Sequence, residues 1–318
     1  MRRCKRCLLP AAVPGADFDG AGVCRPCREY APGSAQQEDA GRAAREADLE
    51  AAIASSRGQG RYDVLVPFSG GKDSAWMLYK LVVEYKLKVL AFTVDVNIPP
   101  VAWKNIRQTL AKLNIDHISY SPPAELYRKL FAYLLRNQEA RGATYTVSYV
   151  YAPLFEGDAI QLALEKGIPL VMAGYSPGQP EPERMLYEFS RPLIERTDWT
   201  PPQLKHGGQF TDDELSRFFN PLRYPAGTHF PRYLAPFHAW PYNQDEAMRS
   251  VVAHGLIATS RNASPIFSNY PINWLLMFSD LKNFGYNPYA PEFATPVSYT
   301  HLRAHETKAN LVCRLLLE

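Results

Sequence analysis

An apolar run, RYDVLVPF, passes through SGGKDS into KDSAWMLYKLVVEYK, and this junction constrains the chain more than any other feature. RYDVLVPF is short, rich in Val and closed by a turn, the pattern of a buried strand. The run after it places Ala75, Met77, Leu78, Leu81, Val82 and Tyr85 at helical spacing. Between them lies the turn from Ser69 to Ser74. Gly70 and Gly71 let the backbone come close to an anion with its N–H groups turned inward. The helix N-terminus behind them favours negative charge. Phosphate is therefore the expected guest. Two common phosphate patterns do not fit. Gly, four residues, then Gly-Lys-Ser/Thr would need Gly at Val66 and Ser or Thr at Asp73, and G-x-G-x-x-G is absent. Asp73 also suits an ordinary helix N-cap, so a structural role for it stands beside the phosphate one.

The sequence that follows keeps alternating. KLKVLAFTVDV predicts a second strand, WKNIRQTLAKLNI a helix and DHISYS a third strand. AELYRKLFAYLLRN and FEGDAIQLALEKG predict helices, and IPLVMAGY a further strand. Such alternation predicts an α/β fold, a parallel sheet with helices on both faces. Ligands of these sheets bind at the carboxyl ends of the strands, where the topology switches. SGGKDS, the loop carrying Val94 and Asp95, and AGYSPGQ with Gly174 are all strand-end loops that can meet on one nucleotide.

Near the N-terminus, CKRC and CRPC form two C-x-x-C pairs, Cys4 with Cys7 and Cys24 with Cys27. The loop between them, rich in Pro and Gly, can fold back and bring four thiolates onto one tetrahedral zinc, a closed structural site. Two disulfides are the rival for an exported chain, and a redox C-x-x-C is the other. Arg2, Arg3, Lys5, Arg6, Arg25 and Arg28 crowd this knuckle. They read either as a phosphate-contacting surface or as a solvated face that offsets the thiolate charge.

Residues 1–31 thus read as a four-cysteine zinc knuckle and 32–60 as an exposed, mixed-charge helical connector. Residues 61–180 read as the phosphate-binding α/β domain, and 181–296 as a helical extension rich in Pro and aromatics. Within that extension TDDELSRFF, NQDEAMRSVVAHG and NYPINWLLMFSDLKNFG predict helices. The aromatics of RYPAGTHFPRYLAPFHAWPYN either line a pocket or pack. His206, His229 and His238 lie in these loops and receive no role, while Glu181, Glu183 and Arg184 could face a substrate. The last segment, 297–318, resembles a translated sequencing adapter, so the natural chain is expected to depart from this one near Pro296. Cys313 belongs to that segment, which leaves the knuckle cysteines as the natural ones. A net charge of +3 over 318 residues gives no general reason for a nucleic-acid or membrane partner. No apolar run approaches the ~20 residues of a spanning helix, no secretory signal is evident, and a cytoplasmic location is expected.

All six positions of SGGKDS resemble the SGGxDS turn of the N-type ATP pyrophosphatases, the PP-loop superfamily. The resemblance implies an adenine nucleotide alpha-hydrolase-like fold whose turn holds the β- and γ-phosphates of ATP. The substrate takes AMP onto an oxygen, pyrophosphate leaves, and a nucleophile displaces AMP. Carried onto this chain, it implies nucleotide contacts from Ser69, Gly70, Gly71, Lys72, Asp73, Ser74, Val94, Asp95 and Gly174. It places catalysis on Lys72, Asp73 and Ser74, with Asp73 the Mg²⁺ residue. The knuckle CKRCLLP…PG…FD…GVCRPC ahead of such a domain resembles the N-acetyl sugar amidotransferase family of surface-polysaccharide biosynthesis, from Arg3 to about Tyr175. That implies an N-acetylated sugar or sugar nucleotide as substrate, and ammonia from a separate glutaminase subunit. AGYSPGQPEPE departs from the Asn- and Gly-rich loop that family would carry there, and 181–296 holds no motif that aligns. A tRNA-thiolating PP-loop enzyme is the rival, although such enzymes generally need further central cysteines. Sulfonucleotide reductases lack the knuckle. A non-catalytic nucleotide-binding scaffold is the remaining class, and the intact Lys72-Asp73-Ser74 speaks against it.

Overall fold

β1 (Val64–Pro67) is the centre of the molecule because its Val64, Leu65 and Val66 have no exposed surface and both faces need cover. In the computed structural model, the described residues are 2–7, 9–13, 15–29, 34–139, 142–176, 187–259 and 272–285. With β2 (Val89–Val94), β3 (Asp116–Tyr120), β4 (Leu170–Met172) and β5 (Arg232–Leu234), β1 forms a five-stranded sheet in the order β3-β2-β1-β4-β5. Every pairing is parallel, with Val64 opposite Val89, Leu90 opposite Asp116, Leu65 opposite Val171 and Leu170 opposite Arg232. α1 (Arg25–Glu29) and α2 (Ser34–Ser56) precede β1. Parallel neighbours need long crossovers, and helices supply them: α3 (Lys72–Tyr79) between β1 and β2, α4 (Pro100–Leu113) between β2 and β3, and α5 (Ala124–Arg136) with α6 (Ala143–Lys166) between β3 and β4. Short α7 (Arg191–Arg196), α8 (Pro202–Lys205) and α9 (Asp212–Leu215) follow, then α10 (Gln244–Ala253) and α11 (Ile272–Phe284).

Side chains alternate across the sheet with the strand period of two. Val64, Val66, Ala91 and Met172 face a core completed by α2, α3, α4 and α10 through Leu49, Leu78, Ile106 and Val251. Leu65, Leu90, Phe92 and Val171 face the other side, covered by Ala159, Ile160 and Ala163 of α6. A third cluster, with Leu130, Leu154 and Leu276, joins α5, α6 and α11.

Four sequence expectations change here. The connector helix is not an exposed spacer: Leu49, Ala52, Ile53 and Ser56 of α2 are buried, because they share one face of an otherwise charged helix and that face lies on the sheet. Regular helix does not continue from α3 to Tyr85. Lys80–Glu84 is a π-helical turn, with the Tyr85 N–H donating to the Lys80 carbonyl at 2.8 Å. Tyr85 then stacks on Trp240 with ring centroids 5.5 Å apart. Finally, the sheet takes β5 from within 181–296. A strand of only three residues, Arg-Tyr-Leu, shows no legible alternation. Of the helix expected over TDDELSRFF, only Asp212–Leu215 forms, opened by a capping box between Thr211 and Glu214. Among the described residues no helix is long and apolar enough to cross a membrane. The adapter-like segment 297–318 lies outside the described residues.

Candidate functional site

The chain leaves β1 for β2 and β3 on one side, and later returns to the other side with β4. The carboxyl ends of β1 and β4 therefore flank the topological switch point, and the SGGKDS turn sits there. Gly70 has φ +76°, and a Cβ on it would lie 2.8 Å from the Ala102 carbonyl oxygen and 2.9 Å from Ile106 Cγ1. Only glycine fits, because both the dihedral and the close approach of α4 exclude a side chain. The Asn105 amide donates to the Gly70 carbonyl at 3.1 Å and fixes the turn from α4. Gly174 fits for another reason. Its Cβ would meet Ser74 N and Ser74 Cα at 2.9 Å, so the loop after β4 lies against the first turn of α3.

Inside this frame Lys72, Asp73 and Ser74 are all buried. Ser69 and Ser74 hydroxyls are 3.3 Å apart, and Ser74 Oγ donates to the Gly71 carbonyl at 3.2 Å. Lys72 Nζ donates to Asp73 Oδ2 at 2.7 Å. Asp73 Oδ1 accepts from the Tyr242 hydroxyl at 2.6 Å. A second hydroxyl, that of Ser176, also bonds to Tyr242, and burial together with the Asp73 charge pushes the phenol well above its ordinary range. Tyr242 therefore keeps its proton as a donor. Val94 and Asp95 are placed on the same carboxyl edge, one strand away. The Asp95 N–H donates to the Tyr120 carbonyl at 2.7 Å, and Asp95 Oδ1 accepts from Ile98 N at 2.9 Å.

Structure thus brings Ser69 to Ser74 and Gly174 into contact, with Val94 and Asp95 at the neighbouring strand end. Sequence reasoning passed over Tyr242, Ser176 and Asn105, and no local motif marks them. It passed over Arg217 as well, whose guanidinium lies over the Tyr120 ring at 5.1 Å and donates to its hydroxyl. Most aromatics of the segment 223–243 pack: Tyr233, Phe237 and Trp240 are buried against the sheet, and Tyr242 reaches the turn. His206 and His229 are exposed. His238 is held down to about 4, and so neutral, by burial and the nearby Arg45 charge. Gln179, Glu181, Glu183 and Arg184 lie outside the described residues.

The knuckle is a separate construction. Cys4, Cys7, Cys24 and Cys27 are buried and their sulfurs all lie within 4.8 Å of one another. Cys7 and Cys24 sulfurs are 3.4 Å apart, Cys4 and Cys27 sulfurs 3.9 Å. Disulfides would require about 2.05 Å, whereas one tetrahedral zinc with bonds of ~2.3 Å sets its sulfurs ~3.8 Å apart. The donor set fits a single zinc ion. Burial alone would raise the Cys4 thiol, but N–H donors from Cys24, Cys7 and Arg6 outweigh it and bring it down to about 6. Burial pushes Cys27 up to about 12 and Cys7 upward as well, so full ionisation of the set calls for a cation. Four of the six basic residues around it, Arg2, Arg6, Arg25 and Arg28, are engaged locally. Arg2 donates to the Asp19 carbonyl, Arg6 to the Cys27 carbonyl and Arg28 to those of Asp17 and Val23. Arg25 pairs with Asp17 and Glu29. These bonds knit the knuckle together.

No family model and no curated protein matches the chain. Among solved structures it is similar to NMN synthetase from Francisella tularensis, at 15% identity over 43% of this chain and 56% of that one, with a TM-score of 0.32. It is also similar to the U34-tRNA thiolase NcsA from Methanococcus maripaludis with its 4Fe-4S cluster, at 14% identity over 96% of this chain and 90% of that one, TM-score 0.37. A third is the NH3-dependent NAD synthetase from Campylobacter jejuni, at 14% identity over 77% and 94%, TM-score 0.31. The chain spans little more than half the length of the first of these. Similarity this slight does not bear on activity; the fold stands on the strand order and pairing described above.

Proposed function

We propose that this chain is an ATP-pyrophosphatase-type amidotransferase acting on an N-acetylated sugar or sugar nucleotide. One observation carries the reading: SGGKDS lies at the switch point of a parallel sheet, with Lys72, Asp73 and Ser74 buried in its first helical turn. A buried Lys–Asp pair stays charged only if each keeps a partner. When phosphates enter, Lys72 can turn from Asp73 to them as a point cation. Asp73, left among phosphates, then needs a cation of its own, which is why its carboxylate suits Mg²⁺. Held by Asp73, Mg²⁺ would supply charge neutralisation for the phosphates. Ser69 and Ser74 donate to phosphate oxygens, and Gly70, Gly71 and Gly174 let the backbone approach.

The sugar's acetamido oxygen attacks the α-phosphorus of ATP, and pyrophosphate leaves from the β-phosphate side. Ammonia adds to the activated carbon, AMP departs with the former carbonyl oxygen, and an acetamidino group remains after loss of a proton. The chain's part is positioning and electrostatic stabilisation. Ammonia comes from a separate glutaminase, because Cys4, Cys7, Cys24 and Cys27 are buried as a set in the knuckle and cannot serve as its nucleophile. Reduced thiols in that knuckle suit a cytoplasmic setting. In the knuckle the four thiols would hold Zn²⁺, which closes the loop and leaves no open coordination position.

The test is AMP and pyrophosphate release from Mg·ATP in two parallel mixtures. One holds ammonium with a panel of N-acetylated sugars and sugar nucleotides; the other holds bulk tRNA with sulfide. AMP that depends on a sugar supports the proposal. AMP only with tRNA moves the activity to RNA thiolation, for which the chain has no cysteine between Arg28 and Pro296 to carry sulfur. ATP binding with turnover in neither mixture would favour a nucleotide-binding scaffold.

A further inference from the structure

Both carboxylate oxygens of Asp73 are engaged, and one of the partners comes from far along the chain. Lys72 Nζ occupies Oδ2 at 2.7 Å, and the Tyr242 hydroxyl occupies Oδ1 at 2.6 Å. Tyr242 follows β5 by eight residues and is clamped in place. Its ring lies 5.1 Å from that of Phe237, its hydroxyl also meets Ser176 from the loop after β4, and Asn243 next to it caps α10. Two residues earlier, Trp240 is buried, stacks on Tyr85 and donates its indole N–H to the Tyr85 hydroxyl at 3.0 Å. The phenol is therefore rigidly mounted, while Lys72 sits on a flexible four-carbon stem.

We infer that Tyr242 is a positioning residue that fixes the plane of the Asp73 carboxylate. Its bond to Oδ1 persists while Oδ2 exchanges Lys72 for the cation that accompanies ATP. This rests on the nucleotide reading above and extends it to a residue of the segment after β5. Carboxylates that hold metals are usually oriented by such a hydrogen bond, and losing one costs about 10- to 100-fold in metal affinity or activity. Because the bond acts on the cation ligand, the effect belongs to the Mg²⁺-dependent part of ATP binding.

The experiment is calorimetric titration of the full chain with ATP, with and without Mg²⁺, comparing wild type with Tyr242→Phe, Asp73→Asn and the double variant. Phe retains the ring against Phe237 and removes only the hydroxyl. Tyr242→Phe should weaken Mg·ATP binding by about tenfold or more and leave Mg²⁺-free ATP binding within about twofold. In the Asp73→Asn background the same change should add nothing, since a residue acting through Asp73 has no further effect once that carboxylate is gone. Equal weakening with and without Mg²⁺, additive effects in the double variant, or wild-type behaviour of Tyr242→Phe would each overturn the inference. Failure of the wild-type chain to bind ATP under any condition would instead overturn the nucleotide reading, and this one with it. Thermal melts of all four proteins detect misfolding. If Tyr242→Phe does not fold, Ser176→Ala, which removes the other partner of the hydroxyl, should weaken Mg·ATP binding selectively, and equal weakening without Mg²⁺ would overturn the inference.

Discussion

The knuckle and the phosphate turn are both loops that must hold polar groups rigidly, and they do it by opposite means. The knuckle spans 4–27 and its buried cluster consists of Cys4, Cys7, Leu9, Val13, Ala16, Cys24 and Cys27, with none of the sheet's buried residues in it. So few apolar groups cannot offset the entropy of ordering the loop, and four sulfurs placed to share one ion would do it instead. The turn is instead enclosed by the sheet and its helices. β1, α3, α4 and the loop after β4 close on it, and its tight approaches are Gly70 against Ala102 and Ile106 and Ser74 against Gly174. One site is held by bonds local in sequence; the other takes its rigidity from residues up to 169 positions away. Where the core is absent, chemistry supplies the scaffold. Where it is present, chemistry is free to be functional.

Removing metal is the harshest way to break this comparison. Structural zinc contributes an apparent ~10 kcal/mol or more to such a fold at neutral pH. Strong chelation, or Cys24→Ser, should release one zinc equivalent and unfold 2–29 while the sheet keeps its far-ultraviolet dichroism and its thermal transition. Loss of both together would mean that the two regions are not independent. Next in size, Asp73→Asn should lower AMP formation at least about a hundredfold with zinc content unchanged and far-ultraviolet dichroism retained, although loss of the buried Lys72–Asp73 pair lowers the melting temperature. Activity near wild type would remove Asp73 from its assigned role.

A smaller effect sharpens what the sheet does for the turn. Gly70→Ala meets both a forbidden dihedral and the Ala102 carbonyl at 2.8 Å, whereas a Cβ on Gly207, at φ +102°, meets nothing within 4 Å. Chemical denaturation should show a loss of about 2–4 kcal/mol for Gly70→Ala against about 1 kcal/mol for Gly207→Ala. Equal losses would mean that the close approach of α4 does not matter. The smallest effect concerns the brace that ties α2 to β5. Arg232 bonds both Asp48 and Glu188 at 2.7 Å, and the Arg232 hydrogen bond holds the Asp48 carboxyl below its ordinary value. A depressed carboxyl stabilises the fold above its unfolded pKa of about 3.9 and loses that contribution as pH falls through the folded value. Asp48→Asn should therefore cost no more than about 1 kcal/mol near neutrality, since the pair is partly exposed, and the gap to wild type should close below about pH 4. A gap that stays constant down to pH 2 would show that the charge is not what matters.

Much of this was legible without coordinates. Strands and helices alternate from 62 to 172 because Val-rich runs and amphipathic runs differ in period, and period is a local property. The cysteine pairs were legible for the same reason: their spacing sets what two thiolates on one tight turn can reach. The connector helix was misread because charge on α2 masked the face of Leu49, Ala52 and Ile53. Burial depends on what lies opposite, which a sequence does not display.

By itself, then, the sequence determined the parallel sheet, the strand-to-helix turn that ends β1, and the four sulfurs of the knuckle. Each follows from interactions over a few neighbouring residues. Only the tertiary structure decided that β5 completes the sheet, that Gly174 lies on Ser74, and that Tyr242 holds Asp73. These pair residues from distant parts of the chain, and no local pattern encodes such a meeting. Packing of the whole core selects them at once.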